Sequence, residues 1–360
     1  MVTFRSMTID PPIMNASTLS ATELEEMRAL FLSPLTGATV TRTSTSFGFR
    51  GKEQQSGSIG ILSDSISSIY SMGYSHHPLK SYILWVEKLF TTIGPDGRMS
   101  GKPFFISIAE RTPACLQKAV EAIQGLRKAL DAKFCASPGD FPSNPSTLIA
   151  IEVNFSHPNI CDFPPPAFNP PDLIPFLDVL AAAFREDPSL VLGLKLPPYS
   201  DQRRVVEVVQ VLERYTETHT DTLRDGTRTS PWTYLTSIDA LGGCLALPDQ
   251  LRPTDSDASG SSGAEAPQTN GTNTSAAAQA IRGAVGGDVV HSLALGNVAA
   301  FRRALDASSD SAIRGVRIIG VGGVTSREAA TRMCSAGADV VAVATLLEHG
   351  GIDSLKDLVG

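Results

Sequence analysis

The stretch that decides the fold is Val316–Val324, VRIIGVGGV, near the end of the sequence. An apolar strand runs into Gly320, Gly322 and Gly323, and a helix start follows. Further along, a second apolar strand, DVVAVATLL, passes through Ala344–Thr345. Glycine allows a backbone to approach a ligand closely, and the loops after strands seven and eight of a (β/α)8 barrel form a phosphate site. The pair therefore favours phosphate binding in a barrel over a plain tight turn.

Outward from this stretch, short apolar runs alternate with amphipathic stretches. Helical periodicity is clear where Leu116, Val120 and Ile123 fall on one face. Strand–helix alternation repeated about eight times predicts an α/β fold, a (β/α)8 TIM barrel, with a doubly wound sheet as the alternative. The expected strands are Ala38–Thr45, Phe104–Ile108, Leu148–Phe155, Val191–Leu196, Tyr234–Ile238, Val316–Val321 and Val340–Ala344, with Ser67–Ser71 as a weaker candidate.

The segment Leu251–Ala280 breaks the alternation. It holds no aromatic residue and almost no branched aliphatic residue. Such a composition cannot bury enough apolar surface to offset the entropy of ordering the chain. We expect one barrel domain over residues 1–360, with a disordered, low-complexity insertion at about 251–280.

Composition narrows the classes of function. Lys and Arg total 30 and Asp and Glu total 37, giving a net charge of −7 without a basic block, which argues against nucleic-acid and anionic-membrane partners. The 5 cysteines form no CxxC pair, which argues against a disulfide scaffold or a structural zinc site. The His76–His77 pair shows no ligand partner at metal spacing, so we expect no metal. We expect a cytoplasmic protein, because no apolar run reaches the roughly 18 residues of a membrane span.

Polar residues stand at the end of one expected strand. In IEVNFSHPN, Ile151–Asn159, two-residue alternation places Glu152, Asn154 and Ser156 on one face. His157 follows on the loop, where a histidine can transfer a proton. A loop histidine bonded to backbone is the plainer alternative.

A lysine interrupts another apolar strand. In GLKLPPYSD, Gly193–Asp201, Lys195 lies on the opposite face from its apolar neighbours. A lysine there must extend its amine to solvent or find an anion. Inside a barrel it would point into the upper interior, where a cofactor's polar edge could sit. A surface-facing lysine is the alternative.

Together these segments resemble the class 1, soluble fumarate-type dihydroorotate dehydrogenases, over nearly the whole chain. NFSHPN resembles the family's NLSCPN, and GLKLPPYSD is nearly identical to the family's sequence in that segment. IIGVGGV and ATLLEHGG match its two phosphate segments. The remaining matches, in the family's order, are MNASTLS, TVTRTST, SMG, SIA, SIDALGG and GAVGG.

The resemblance implies an FMN-dependent oxidoreductase of de novo pyrimidine (UMP) biosynthesis, in which a base takes a proton from dihydroorotate and hydride passes to the flavin. It implies that His157 is that base. It implies substrate contacts from Met72, Gly73, Asn154, Asn159 and Asp239. It implies FMN contacts from Ala16, Ser17, Arg42, Lys195, Gly286, Gly287, Gly322, Gly323, Ala344 and Thr345. It also implies a soluble electron acceptor such as fumarate, and a homodimer.

The chain departs from the family at the substrate end. His157 stands at the position of the catalytic cysteine, Arg42 at that of a lysine, and Tyr70 at that of an asparagine. Asp239–Ala240 replaces an Asn–Ser pair, which adds a negative charge near an anionic substrate. That carboxylate would raise the pKa of His157, while burial would lower it. The alternatives are another substrate on the same scaffold, a catalytically silent flavin-binding paralogue, and a flavin-free phosphate-binding barrel.

Overall fold

The computed structural model describes residues 1–50, 58–94, 99–135, 145–157, 159, 165–218, 228–252 and 280–359. Eight parallel strands form one sheet in the order β1-β8-β7-β6-β5-β4-β3-β2. A parallel bridge between Met14 and Ala38 closes the ring between the first two strands. The strands are β1 Ile13–Asn15, β2 Thr39–Val40, β3 Phe104–Ile108, β4 Ile149–Asn154, β5 Val191–Leu196, β6 Trp232–Ser237, β7 Arg317–Val321 and β8 Val340–Val343. The expected (β/α)8 barrel is confirmed.

A helix follows each strand. Each of these helices carries an apolar stripe, and the stripe packs against the sheet. In the helix after β5, Val205, Val208 and Leu212 are buried, and the Asp201 carboxylate caps the first turn by accepting the Arg203 N–H. The helices are α1 Leu24–Leu32, α2 Leu79–Phe90, α3 Pro113–Cys135, α4 Ile174–Glu186, α5 Gln202–Glu213, α6 His291–Asp306, α7 Arg327–Ser335 and α8 Thr345–Gly350. Within the described ranges, no helix combines the length and the apolar character needed to cross a bilayer.

The expected strand boundaries hold at both ends for two strands. β3 and β5 span the residues that the sequence predicts. β2 is much shorter than the predicted Ala38–Thr45. Beyond Val40 the chain keeps only scattered bonds to β3, such as the Ser44 N–H to the Ser107 carbonyl at 3.0 Å, while Arg42 and Thr43 line the cavity at the barrel mouth.

The lower half of the barrel is filled with side chains. The Phe4 ring stacks on Tyr234 with centroids 5.5 Å apart, and the hairpin Val2–Phe4 with Met7–Ile9 closes the N-terminal end. Gly193 is required beside that stack, because a Cβ there would lie 2.1 Å from the Tyr234 ring. The interior can therefore accept a ligand only at the C-terminal end.

An antiparallel sheet, here called the cap sheet, lies across that end. Its strands are, in spatial order, Leu241–Ala246, Ile281–Gly287, Ser67–Tyr70 and Ile59–Ile61. They belong to the connections after β2 and β6. The weaker strand candidate Ser67–Ser71 is thus a strand of the cap sheet and not of the barrel.

Most of the predicted insertion at about 251–280 lies outside the described residues. Its flanks belong to the cap sheet: the Arg252 N–H donates to the Ile61 carbonyl at 2.8 Å, and Ile281 pairs with Ala246. We predict that replacing residues 254–278 by a short Gly–Ser linker changes the free energy of unfolding by less than about 1 kcal/mol, since doubling a loop costs only about 0.6 kcal/mol. Urea unfolding measures this. A larger loss of stability would mean that the segment packs against the domain.

Candidate active site

A cavity opens at the C-terminal end of the barrel, beneath the cap sheet. Nearly all the site residues expected from the sequence line it. They are Ala16, Ser17, Arg42, Gly73, Asn154, His157, Lys195, Asp239, Gly286, Gly287, Gly322, Gly323, Ala344 and Thr345.

Two expected substrate contacts, Met72 and Asn159, do not line the cavity. The Asn159 amide donates to the Tyr70 carbonyl at 2.9 Å and to the Met72 carbonyl at 3.0 Å. The amide is used to hold the segment after the cap-sheet strand Ser67–Tyr70. In this arrangement Asn159 joins two loops, and the assignment of Met72 and Asn159 as substrate contacts stays a prediction.

The glycines of the site let two loops approach each other. Gly322, Gly323 and Gly287 have φ values of +119°, +66° and +87°, in the region that favours glycine. A Cβ at Gly323 would lie 2.9 Å from the Gly287 carbonyl oxygen. A Cβ at Gly286 would meet only Thr345 Oγ1, at 3.1 Å. We call this part of the cavity the phosphate end; it consists of Gly286, Gly287, Gly322, Gly323, Ala344 and Thr345.

A buried ion pair lies in the same cavity. Lys195 Nζ is 3.2 Å from Asp239 Oδ1, and the two side chains are 4% and 7% exposed. Asp239 also accepts from Ser156 Oγ and from the Ala240 N–H, each at 2.9 Å. Burial acts to raise the pKa of Asp239, but Lys195 and these partners hold it below its usual value. The negative charge expected from the sequence is therefore present, but it is compensated within the protein.

Hydroxyl groups and an amide form a network along the cavity wall. Asn154 Nδ2 donates to Thr43 Oγ1 at 3.0 Å, and Ser17 Oγ lies 2.8 Å from the same oxygen. Asn154 Oδ1 accepts from the Ser156 N–H at 3.0 Å. Both ends of the Asn154 amide thus have protein partners, which fixes its orientation. The sequence singled out Asn154 but gave no separate signal for Thr43.

His157 is buried against aromatic rings. The Tyr74 ring lies 4.8 Å away, edge to face, and lines the same cavity. Burial lowers the pKa of His157 to about 4, and the opposing effect of Asp239 is smaller. Burial therefore changes the pKa of His157 more than Asp239 does, and the imidazole is neutral at pH 7.

The neutral ring has a defined proton position. The Asn159 backbone N–H donates to His157 Nδ1 at 3.3 Å, so the imidazole proton lies on Nε2 in this arrangement. A ring in this form offers a donor at Nε2. To accept a proton there, it must carry its own proton on Nδ1, so the contact with Asn159 must open first.

Tyr74 and Glu348 are among the cavity residues that were missed in the sequence. Burial raises the pKa of both side chains. Tyr74 follows the SMG segment directly, so its position was a usable signal. Glu348 lies within ATLLEHGG, but nothing local indicates that its carboxyl meets Ser68 of the cap sheet.

The structure corrects the expectation that the His76–His77 pair has no partner. Glu23, before α1, places Oε1 2.8 Å from His77 Nε2, and the two histidine rings are 3.9 Å apart. The three side chains are close enough to offer ligand atoms to one ion. They lie near the protein surface, outside the residues that line the cavity.

Comparison with known proteins agrees with this geometry. The family model "Dihydroorotate dehydrogenase" matches residues 264–359. The dihydroorotate dehydrogenase (fumarate) of Saccharomyces paradoxus is 26% identical over 349 residues, covering 97% of this chain and 87% of the relative. The probable dihydroorotate dehydrogenase A (fumarate) of Streptococcus pneumoniae is 24% identical over 348 residues, covering 96% of this chain and 86% of the relative.

Solved structures show the same fold at lower identity. The crystal structure of ligand-free DHODH from Eimeria tenella superposes with a TM-score of 0.63 at 13% identity, covering 96% of this chain and 82% of that one. Its complex with ferulenol gives 0.62, covering 99% and 82%. The family match over residues 264–359 and the relatives that span nearly the whole chain point the same way. This chain is similar to the dihydroorotate dehydrogenases over nearly its whole length.

Proposed function

We propose that this protein oxidises dihydroorotate to orotate in de novo pyrimidine synthesis, with FMN as its cofactor and a soluble acceptor such as fumarate. The observation that carries the proposal is the convergence of residues from distant segments in one cavity at the barrel mouth. Glycines of two loops, a buried lysine and a buried histidine all line this cavity. The relatives named for this reaction support the choice of substrate.

The donor set of the cavity suits FMN. At the phosphate end, backbone groups lie beside Thr345. They are accessible because Gly286, Gly322 and Gly323 have no side chains. Backbone N–H groups and a hydroxyl are the groups that bind phosphate at the mouth of a barrel. Ala16 and Ser17 would lie beside the ring system. When bound, FMN supplies the acceptor for the substrate's hydride.

Lys195 and Asp239 would act as one unit beside the cofactor. A cation near the flavin's polar edge stabilises the negative charge that develops there on reduction. Because Lys195 is held 3.2 Å from Asp239, its ammonium is fixed in position before any ligand enters. Because Asp239 already balances part of the positive charge of Lys195, that part is not available to stabilise the flavin.

His157 would take the substrate proton. Its neutral form is available at pH 7, because burial lowers its pKa to about 4. A cycle that uses His157 as the base requires the Asn159 N–H to leave Nδ1, so the loop after β4 takes part in catalysis.

We predict that the purified protein is yellow and releases FMN, not FAD, on denaturation. The two glycine loops form one cradle for a phosphate group, and the described lining residues offer no second cradle for the other phosphate of an adenine dinucleotide. Chromatography of the released flavin against both standards measures this. A protein that stays colourless after incubation with FMN would contradict the prediction.

Anaerobic mixing of the FMN-loaded protein with dihydroorotate tests the activity. We expect flavin absorbance to bleach in a single turnover, orotate to form in equal amount, and fumarate to restore the colour. Tight FMN binding without reduction by dihydroorotate would contradict the activity and favour a silent paralogue.

A second candidate is oxidation of another substrate on the same scaffold. The rings of Tyr70 and Tyr74 lie 6.5 and 4.8 Å from that of His157, which makes this wall aromatic. Asn154, whose amide is already bonded within the protein, is the one carboxamide side chain among the described lining residues. Such a wall suits a substrate with fewer polar groups than dihydroorotate. Reduction of the flavin by a less polar CH–CH donor, and not by dihydroorotate, would select this candidate.

We also propose a cytoplasmic homodimer, as the resemblance to the fumarate-type enzymes implies. Light scattering coupled to size-exclusion chromatography gives the mass in solution. A mass of one chain, 38.1 kDa, at micromolar concentration would contradict the dimer.

A further inference from the structure

One acidic side chain, Glu348, reaches the phosphate end of the cavity. Its Oε2 lies 3.2 Å from Ser68 Oγ, which lies 3.4 Å from Thr345 Oγ1. Ser68 pairs with Gly286 in the cap sheet, and a Cβ at Gly286 would lie 3.1 Å from the same Thr345 oxygen. The carboxyl therefore stands beside the residues that would hold the cofactor's phosphate.

The charged side chains of the cavity do not favour an ionised Glu348 next to a bound phosphate. Among the described residues that line the cavity, the lysine and arginine side chains are Lys195 and Arg42. Lys195 is paired with Asp239, and Arg42 donates to the Gly73 carbonyl at 2.9 Å. An ionised Glu348 beside a phosphate would add negative charge without a cation of its own, which disfavours the carboxylate form.

The groups that face Glu348 come from three segments. Ser68 and Tyr70 come from the cap sheet, Thr18 from the loop after β1, and Arg42 from the loop after β2. Burial raises the pKa of Glu348, and the hydrogen bonds from Ser68 and Thr18 and the charge of Arg42 offset only part of this. The described lining residues of the loop after β7 carry no charged side chain.

We propose that Glu348 binds the cofactor's phosphate as the neutral carboxylic acid, donating its proton to a phosphate oxygen. The proposal rests on the assignment of FMN above. A hydrogen bond from a carboxylic acid to a charged oxygen is short and strong, so the acid form is a useful phosphate ligand where the carboxylate is a repelling one. Phosphate binding then takes up a proton whenever Glu348 is ionised in the free protein.

Proton uptake on the full-length apo-protein tests this directly. Calorimetry in two buffers of different ionisation enthalpy counts the protons taken up when FMN binds, and riboflavin, which lacks the phosphate, is the matched ligand. We expect uptake to approach one proton per FMN as the pH rises above the pKa of free Glu348, and none with riboflavin. The Kd for FMN should then weaken by up to about tenfold per pH unit, the linkage of one proton.

Glu348→Gln separates this effect from the titration of the phosphate itself. The amide keeps a donor but cannot ionise, so the variant should bind FMN with less proton uptake and a shallower pH dependence. Glu121→Gln, at an exposed carboxylate on α3, should behave as wild type. Equal uptake in wild type and Glu348→Gln, or equal uptake with FMN and riboflavin, would overturn the proposal. If the wild-type protein binds neither flavin, the FMN assignment is wrong, and the role proposed for Glu348, which rests on it, is wrong as well.

Discussion

Replacing His157 by alanine is expected to slow flavin reduction by dihydroorotate about 10²–10⁴-fold, the usual contribution of a general base. The side chain lines the cavity and is neutral at pH 7, so it can receive a proton once its contact with Asn159 opens. Single-turnover bleaching of the bound flavin measures the rate. His76→Ala, at a surface histidine, is the control and should keep the wild-type rate.

The pH dependence of this step distinguishes the buried histidine from an ordinary one. A base whose pKa is lowered to about 4 is already deprotonated above about pH 5, so the rate should stay flat through the usual histidine range near ~6.5. His157→Cys should instead give a rate that rises towards alkali, because a thiol ionises near pH ~8.5. A wild-type profile that rises through pH 6–7 would mean that His157 is more solvated than the structure implies. Reduction of His157→Ala at the wild-type rate would leave His157 as a loop residue.

Local patterns predicted the barrel well because the barrel repeats a local unit. β3 and β5 could be read from runs of five and six residues that are mostly apolar, and both strands are buried along their full length. β1 has only three residues and little pattern of its own. It was expected only from the resemblance of MNASTLS to the family. β2 was predicted too long, because the segment Thr41–Thr45 has strand composition but keeps only scattered bonds to β3, while its Arg42 and Thr43 line the mouth.

The partners of the site residues could not be predicted, because they come from distant segments. Lys195 lies on β5 and Asp239 follows β6, and neither the Gly193–Asp201 segment nor SIDALGG indicates that the two side chains meet. Glu348 meets Ser68 across 280 positions of sequence. Asn159 sits in a motif of substrate-binding type, yet its amide is used by two backbone carbonyls. A motif gives the position of a side chain on the scaffold, whereas its partner depends on how the loops pack.

Breaking the Lys195–Asp239 pair is expected to have the largest effect on stability. Asp239→Asn leaves the Lys195 ammonium buried without its anion, which costs about 3–5 kcal/mol in the free energy of unfolding for such pairs. Both side chains are less than a tenth exposed, so solvent cannot replace the lost partner. The pKa of Asp239 is lowered, so this stabilisation is fully present at neutral pH and is lost only as the pH falls through that lowered pKa. Urea unfolding of the FMN-free protein at pH 7 measures it.

The double variant Lys195→Met/Asp239→Asn decides whether the loss comes from the unpaired charge. Removing both charges leaves no buried ion, so most of the stability lost in Asp239→Asn should return, because a buried pair often contributes little beyond the cost of burying its two charges. Asp353→Asn, in the exposed pair with Lys356, is the matched control and should change stability little, since exposed pairs are weak. If Lys195→Met and Asp239→Asn destabilise additively, the two charges are not coupled, and Lys195 keeps its full charge for the cofactor. If they are coupled, FMN should recover more stability in Asp239→Asn than in wild type, because the freed ammonium can then donate hydrogen bonds to the polar edge of the flavin.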